Sequence, residues 1–205
     1  MVAIIDYGVG NLFSLKSSLN AIGAEVIVTS DINELKNADQ IILPGVGAFE
    51  DAAYKLRETG LDKVIKDLAT SGKPLMGICL GMQLLLEKSY EYGEHEGLGL
   101  IKGEVVPIKD YVPEELKIPH IGWNALKFCG EPSPIFLNIN DGDCVYFVHS
   151  FFARNCDASV IATTEYGANL TAAVADKNVF GCQFHPEKSG NIGLSILKAF
   201  INIKE

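Results

Sequence analysis

The first 90 residues alternate short apolar runs with segments of helical periodicity, and this alternation is the strongest constraint on the fold. Residues 2–6, 24–29, 40–45 and 73–78 are rich in Val, Ile and Leu and are predicted to form buried strands. The segments predicted to be helical lie at about 12–22, 49–58, 61–70 and 80–88. Strands and helices that alternate in this way indicate parallel βαβ units and a sheet covered on both faces.

After residue 98 the pattern changes to shorter apolar runs separated by turn residues, which predicts antiparallel or mixed strands. Residues 189–203 return to helical periodicity and are predicted to form a closing helix. We therefore expect one α/β domain over residues 1–205, with a mixed, mostly parallel central sheet flanked by helices and a β-rich second half.

The composition excludes several classes of function. The formal net charge of -9 repels phosphate backbones and argues against nucleic acid as a partner. No apolar stretch approaches the roughly 18 residues needed to span a bilayer, and the N-terminus lacks the pattern of a signal peptide, so a cytoplasmic protein is expected. Two glycine-rich stretches, DYGVGN and PGVGAFE, lack the third glycine of a dinucleotide fingerprint, and no cofactor is expected.

Five cysteines are scattered along the chain without Cys-x-x-Cys spacing, which predicts reduced thiols and neither a disulfide framework nor a metal site. One of them, Cys79, lies between Gly77 and Gly81. A buried packing cysteine is the ordinary interpretation of such a residue. Two flanking glycines, however, permit the tight strand-to-helix turn that presents a nucleophile near a helix N-terminus.

A base for this thiol is predicted about a hundred residues downstream, in the segment GCQFHPEKS. His185 precedes a proline and should therefore be extended, and Glu187 would then project to the same side and orient the imidazole. His-Pro-Glu alone is more typical of a loop with a surface ion pair. Together with the cysteine turn, it indicates a Cys-His-acid triad.

These motifs, GICLGMQLLLE and HPEKS, resemble those of the triad-type (class I) glutamine amidotransferases over essentially the whole chain. The resemblance implies a flavodoxin-like α/β fold and an enzyme that hydrolyses L-glutamine and passes ammonia to a partner. The further segments DYGVGNLFSL, PHIGWN and YFVHSF are similar to those members that form a heterodimer with a (β/α)₈-barrel cyclase of histidine biosynthesis.

Carried over to this sequence, the resemblance implies that Cys79 forms a γ-glutamyl thioester, His185 transfers protons and Glu187 orients His185. Further residues are implied to bind the oxyanion or the substrate: Gly45, Val46, Gly47, Leu80, Gln83, Ser150 and Phe151. The residues implied to contact the partner are Asn11, Trp123 and Lys188. The other cysteines are expected to be packing residues, and His120 is a possible further interface residue.

Three alternatives remain open from the sequence. A paralogous amidotransferase subunit could supply ammonia to a different synthase, for example in surface-sugar biosynthesis. A stand-alone γ-glutamyl hydrolase would use the same cysteine turn but would not need the PHIGWN segment. A flavodoxin-like binding module would need neither Cys79 nor His185.

Overall fold

A computed structural model describes residues 1–204. The first half alternates strands and helices as predicted. The strands are β1 (Val2–Ile5), β2 (Val26–Thr29), β3 (Gln40–Leu43) and β4 (Leu75–Ile78). The helices are α1 (Leu12–Ala21), α2 (Ile32–Asn37), α3 (Phe49–Thr59), α4 (Leu61–Thr70) and, directly after β4, α5 (Leu80–Leu84).

The second half is rich in short strands. These are β5 (Lys88–Ser89), β6 (His95–Glu96), β7 (Glu104–Pro107), β8 (His120–Ala125), β9 (Lys127–Phe128), β10 (Cys144–His149), β11 (Phe151–Arg154), β12 (Val160–Glu165), β13 (Asn169–Asp176) and β14 (Val179–Cys182). Single turns of 3₁₀-helix lie at Ile108–Asp110, Pro134–Phe136, Asp157–Ser159 and Pro186–Lys188, and the last helix is α6 (Gly190–Ile201).

The central sheet has eight strands in the order β2-β1-β3-β4-β14-β13-β12-β9. Pairing is parallel from β2 to β14 and antiparallel from β14 to β9. A two-stranded sheet, β10-β8, and a four-stranded sheet, β11-β7-β5-β6, lie beside it. The prediction of a mixed, mostly parallel sheet with a β-rich second half is therefore confirmed.

Alternation along the parallel strands divides the core between the two faces of the sheet. In β1, Ala3 and Ile5 pack in one cluster with buried residues of α2, α3 and α4, whereas Val2 and Ile4 pack in a second cluster with α1 and α6. Both faces of β1 are therefore buried, which explains why the strand is a continuous apolar run.

The structure corrects the predicted helix at 80–88, since α5 ends at Leu84. The carbonyls of Leu84, Leu85 and Leu86 accept hydrogen bonds from backbone N–H groups of residues 98–101. A helix continued to residue 88 would use the Leu84 carbonyl for its own last bond and would leave the Leu85 and Leu86 carbonyls without a helical partner, whereas the long-range pairing engages all three. Helix α2, which has only six residues, was not predicted; the Asp31 carboxylate caps it.

The prediction that the four other cysteines are packing residues is correct for Cys156 and Cys182, which are buried. It is wrong for Cys144, which is exposed near the start of β10, and Cys129 is only partly buried. Cys144 alternates along β10 with the buried Val145 and Phe147 and therefore lies on the outer face, and Cys129 follows β9 at the edge of the central sheet.

Three glycines allow the turn after β4 to lie against the end of β3. A Cβ added at Gly81 would stand 1.9 Å from the Leu43 carbonyl oxygen, and one at Gly77 would stand 2.6 Å from the Gly81 carbonyl oxygen. A Cβ at Gly45 would meet the Gly81 nitrogen at 2.8 Å. Any side chain at these positions would separate the two backbones.

We predict that Gly81→Ala lowers the free energy of unfolding by more than about 3 kcal/mol, because its Cβ meets backbone that cannot move aside. The matched control is Gly23→Ala, where φ is +82° but no atom lies within 4 Å of an added Cβ. That change should cost only about 1–2 kcal/mol, the ordinary cost of left-handed backbone. Urea unfolding measures both, and equal losses would contradict the close approach at Gly81.

Candidate active site

Cys79 occupies the turn between β4 and α5 with strained backbone, at φ 55° and ψ -112°. This region is rare for a residue with a side chain. The Cys79 N–H donates to the Cys182 carbonyl at 2.7 Å, which ties the turn to the end of β14. The predicted tight turn around the thiol is therefore present, at the N-terminus of the buried helix α5.

The pairing of β4 with β14 explains how distant residues meet. Ile78 lies opposite Cys182 in parallel register, so the chain leaves both strands at the same edge of the sheet. Cys79 follows one strand directly, and His185 follows the other after two residues. The His185 N–H also donates to the Tyr146 carbonyl at 3.0 Å, which fixes its backbone beside β10.

His185 and Glu187 form a buried pair. The His185 Nδ1 lies 2.8 Å from Glu187 Oε1, and each side chain is only 4% exposed. His185 has extended backbone as predicted, but Glu187 lies within the 3₁₀ turn Pro186–Lys188 rather than in an extended segment. This turn brings the carboxylate to the ring, so the predicted contact exists with a different local backbone.

The electrostatics of the imidazole depend on both neighbours. Burial lowers the pKa of His185, but hydrogen bonds with Cys79 and Glu187, and the charges of the same two groups, outweigh burial and raise this pKa to about 9. The ring therefore carries a proton at neutral pH and has the Cys79 sulfur and the Glu187 carboxylate as its partners. This is the arrangement expected of a nucleophile, a proton-transfer group and an orienting acid.

A cavity of about 430 Å³ opens over the thiol. The residues predicted from the sequence that line it are Val46, Gly47, Cys79, Leu80, Gln83, Ser150, Phe151, His185 and Lys188. Gly45 and Glu187 lie behind this wall and, with Asn11, line a small adjoining cavity. The structure thus brings all of the predicted substrate and triad residues to one place.

Gln83 is buried rather than solvated. Its Nε2 donates to the Phe151 carbonyl at 3.1 Å and to Gln183 Oε1 at 3.0 Å. The Gln183 amide nitrogen in turn lies 3.9 Å from the Cys79 sulfur. Gln83 therefore connects the nucleophile side of the cavity to the wall formed by Ser150 and Phe151.

Among the other residues of the cavity wall, Glu91 and Tyr92 carry polar groups that sequence reasoning missed. Glu91 accepts a hydrogen bond from the Phe49 N–H at 2.7 Å, and burial raises the pKa of its carboxyl despite that bond. Tyr92 is 89% exposed and packs edge-on against Phe151. Neither residue has a periodic or motif signal, since the segment SYEYGEHE looks like an ordinary charged loop.

An exposed apolar surface adjoins the mouth of the cavity. Trp123 is 55% exposed and Ile121 is 57% exposed on the outer face of β8. Trp123 packs edge-on against Tyr146, and the Lys188 ammonium lies 6.0 Å from the same ring. His120 does not belong to this surface, because it is fully buried.

Comparison with known proteins decides the family. The model of the glutamine amidotransferase class-I family matches residues 3–203. The imidazole glycerol phosphate synthase subunit HisH of Lactococcus lactis is 49% identical over 98% of this chain and 97% of that protein. HisH of Bacillus cereus is 50% identical over 100% of this chain and 96% of that protein.

This chain is a class-I glutamine amidotransferase. Solved structures agree at the level of fold: a glutamine amidotransferase superposes with a TM-score of 0.75 at 20% identity, over 98% of this chain and 99% of that one. PurLQS from Thermotoga maritima gives a TM-score of 0.75 at 23% identity, over 98% of this chain and 97% of that chain.

Within residues 1–204, no helix is long and apolar enough to cross a membrane, and no three His, Cys, Asp or Glu side chains gather as metal ligands.

The amidotransferase site gives a prediction that does not depend on turnover. We predict that Glu187→Gln lowers the pKa of His185 to below about 8, because the imidazolium loses its anionic partner. The control is Glu34→Gln, an exposed position on α2. A ¹⁵N NMR titration measures the pKa, and an unchanged value would show that Glu187 does not hold the proton on His185.

Proposed function

We propose that this chain hydrolyses L-glutamine to glutamate and ammonia and delivers the ammonia to a cyclase that makes imidazole glycerol phosphate in histidine biosynthesis. The observation that carries the proposal is the buried Cys79–His185–Glu187 constellation under an open cavity. Identity of about 50% to HisH proteins over the full length supports the pathway. We further propose a single cytoplasmic domain over residues 1–205.

In the first half of the reaction, the Cys79 sulfur attacks the carboxamide carbon of glutamine. His185 already holds its proton, so the sulfur reacts as the thiolate of a thiolate–imidazolium pair, and the carbonyl oxygen becomes an oxyanion. Collapse of this intermediate breaks the C–N bond, and His185 gives its proton to the departing nitrogen. Ammonia leaves, and a γ-glutamyl thioester remains on Cys79.

In the second half, water enters the space left by ammonia. His185 removes a proton from the water as it attacks the thioester carbonyl and keeps that proton as the Cys79 thiolate departs, which restores the starting ion pair as the product leaves. Glu187 holds the imidazole by its Nδ1 throughout, so that Nε2 remains the atom that exchanges protons with substrate and sulfur.

The oxyanion needs donors near Cys79. The Leu80 N–H at the start of α5 is one candidate, and a backbone N–H of Gly45–Gly47 is the other. Val46 and Gly47 line the cavity, and Gly47 has φ +91°, a conformation that leaves the direction of this peptide easy to change. We assign the oxyanion hole to these two segments.

The remaining wall suits the amino-acid end of glutamine. Gln83 and the backbone of Ser150 and Phe151 supply polar groups, and the Glu91 carboxylate supplies a negative charge for the substrate's α-ammonium group. The cavity volume of about 430 Å³ is ample for one glutamine. Substrate bound in this way would place its carboxamide over the Cys79 sulfur.

The partner is assigned to the exposed surface of Trp123, Ile121 and Lys188, with Asn11 on the far side of the triad. We propose a (β/α)₈-barrel cyclase there, in a heterodimer that closes the cavity mouth. Confinement has a chemical reason, because ammonia released into water at neutral pH is protonated and loses its nucleophilic lone pair. An aromatic residue at the centre of such a surface is typical of an interface anchor.

We predict that Cys79→Ala abolishes glutamine-dependent synthesis in the reconstituted complex, with a loss of at least about 10³-fold. Synthesis supplied with ammonium salt should be retained, because the barrel does not need the thiol. Glutamine-dependent turnover by the variant would contradict the nucleophile assignment. A wild-type complex whose glutaminase activity does not respond to the cyclase ligand would favour a paralogous synthase.

We predict that Trp123→Ala weakens binding of the cyclase by about thirtyfold or more, as expected for loss of an aromatic anchor. Tyr54→Ala is the matched control, since Tyr54 is 61% exposed on α3 and belongs to no part of the proposed interface. Isothermal titration of the cyclase into each variant gives the dissociation constants. Equal affinities for the two variants would place the interface elsewhere.

A further inference from the structure

Two buried histidines outside the triad are in direct contact. His120 on β8 is 0% exposed, and His149 at the end of β10 is 5% exposed. The His120 Nδ1 lies 3.0 Å from the His149 Nε2. The proposed reaction uses neither ring, although His149 lines the cavity above Cys79.

Each ring has a second partner on its other nitrogen. The His149 Nδ1 lies 2.9 Å from the Phe151 carbonyl oxygen, which can only accept. The His120 Nε2 lies 2.8 Å from Asn124 Oδ1, and the Asn124 Nδ2 donates to the Glu165 carbonyl at 3.0 Å. The contacts form one chain, from Asn124 through both rings to Phe151.

Counting protons assigns the direction of this chain. Burial lowers the pKa of both imidazoles, to about 3 for His149, so each ring is neutral and carries one N–H. A proton on the His149 Nδ1 satisfies Phe151, and a proton on the His120 Nδ1 satisfies the His149 Nε2. The His120 Nε2 is then an acceptor, so the Asn124 amide must turn to put Nδ2 where Oδ1 now stands, which leaves the Glu165 carbonyl to water.

The chain ends at a carbonyl that belongs to the substrate wall. The Phe151 oxygen accepts from the His149 Nδ1 and from the Gln83 Nε2, so both of its lone pairs are engaged. Two donors from different directions fix the plane of the peptide after Phe151. The bond to this fixed carbonyl and a second bond to Gln183 Oε1 hold the Gln83 side chain, and Gln183 in turn lies against the Cys79 sulfur.

We propose that His149 is a positioning residue for glutamine binding, held in its Nδ1–H tautomer by His120, and that it fixes the Phe151 carbonyl and Gln83. This role rests on the proposed glutaminase function, which it deepens. The pair also joins β8, whose outer face carries Ile121 and Trp123, to the inner wall of the cavity. Because His149 does not contact the reacting atoms, its effect falls on substrate affinity.

Two substitutions separate the two nitrogens of His149. In His149→Asn the amide nitrogen reaches the place of Nδ1 and retains the donor to Phe151, whereas in His149→Gln the amide reaches the place of Nε2 and retains only the contact with His120. We expect His149→Gln to raise the KM for glutamine by about tenfold, the equivalent of one buried hydrogen bond, with kcat changed less than twofold. The rise in KM for His149→Asn should be at least threefold smaller than the rise for His149→Gln.

Glutaminase kinetics of the cyclase complex measure both constants. A KM rise equal in the two variants, or a loss in kcat alone, would overturn the positioning role. The tautomers are tested without turnover, by ¹⁵N NMR of the wild-type chain with labelled histidine. His149 in the Nδ1–H form supports the proposal and the Nε2–H form overturns it, while absence of glutamine turnover in the wild-type complex would contradict the proposed function alone.

Discussion

The backbone contact between the turn after β4 and the end of β3 determines where every other part of the site can lie. Gly81 allows the first turn of α5 to touch the Leu43 carbonyl, and Gly45 allows the next segment of chain to lie against the Gly81 nitrogen. Side chains here would push the Pro44–Gly47 segment away from Cys79. This backbone contact alone therefore places the candidate oxyanion donors and the nucleophile in one cavity.

This geometry stores strain that the surrounding core must offset. A residue with a side chain at φ 55° and ψ -112° costs about 1–3 kcal/mol relative to ordinary backbone. All five residues of α5 are buried, and the Cys79 N–H is bonded to β14, so relaxation of the turn would expose apolar surface and break a ladder contact. The thiol is thus held in place by packing that has no chemical role of its own.

Features that depend on local sequence pattern could be predicted, whereas features that depend on contacts with distant parts of the backbone could not. Hydrophobic periodicity predicted the parallel strands and α4 with its observed bounds, and the Gly77 and Gly81 spacing predicted the turn at Cys79. The end of α5 at Leu84 depends on pairing with residues 98–101, which no local pattern carries. Glu91 and Tyr92 were missed as site residues for the same reason, because only the fold brings this charged loop to the cavity wall.

The segment that would complete an oxyanion hole is fixed at both of its ends. The Pro44 carbonyl accepts from the Tyr7 hydroxyl at 2.8 Å, and the Phe49 N–H donates to Glu91 at 2.7 Å. Burial raises the pKa of Tyr7 beyond its usual range, so this hydroxyl remains a donor at any pH at which the protein works. Between these anchors, Val46 and Gly47 are exposed. A rotation of one peptide there would leave β3 and α3 undisturbed, so a partner seated near Trp123 could change the direction of an N–H over Cys79 without a cost in the core.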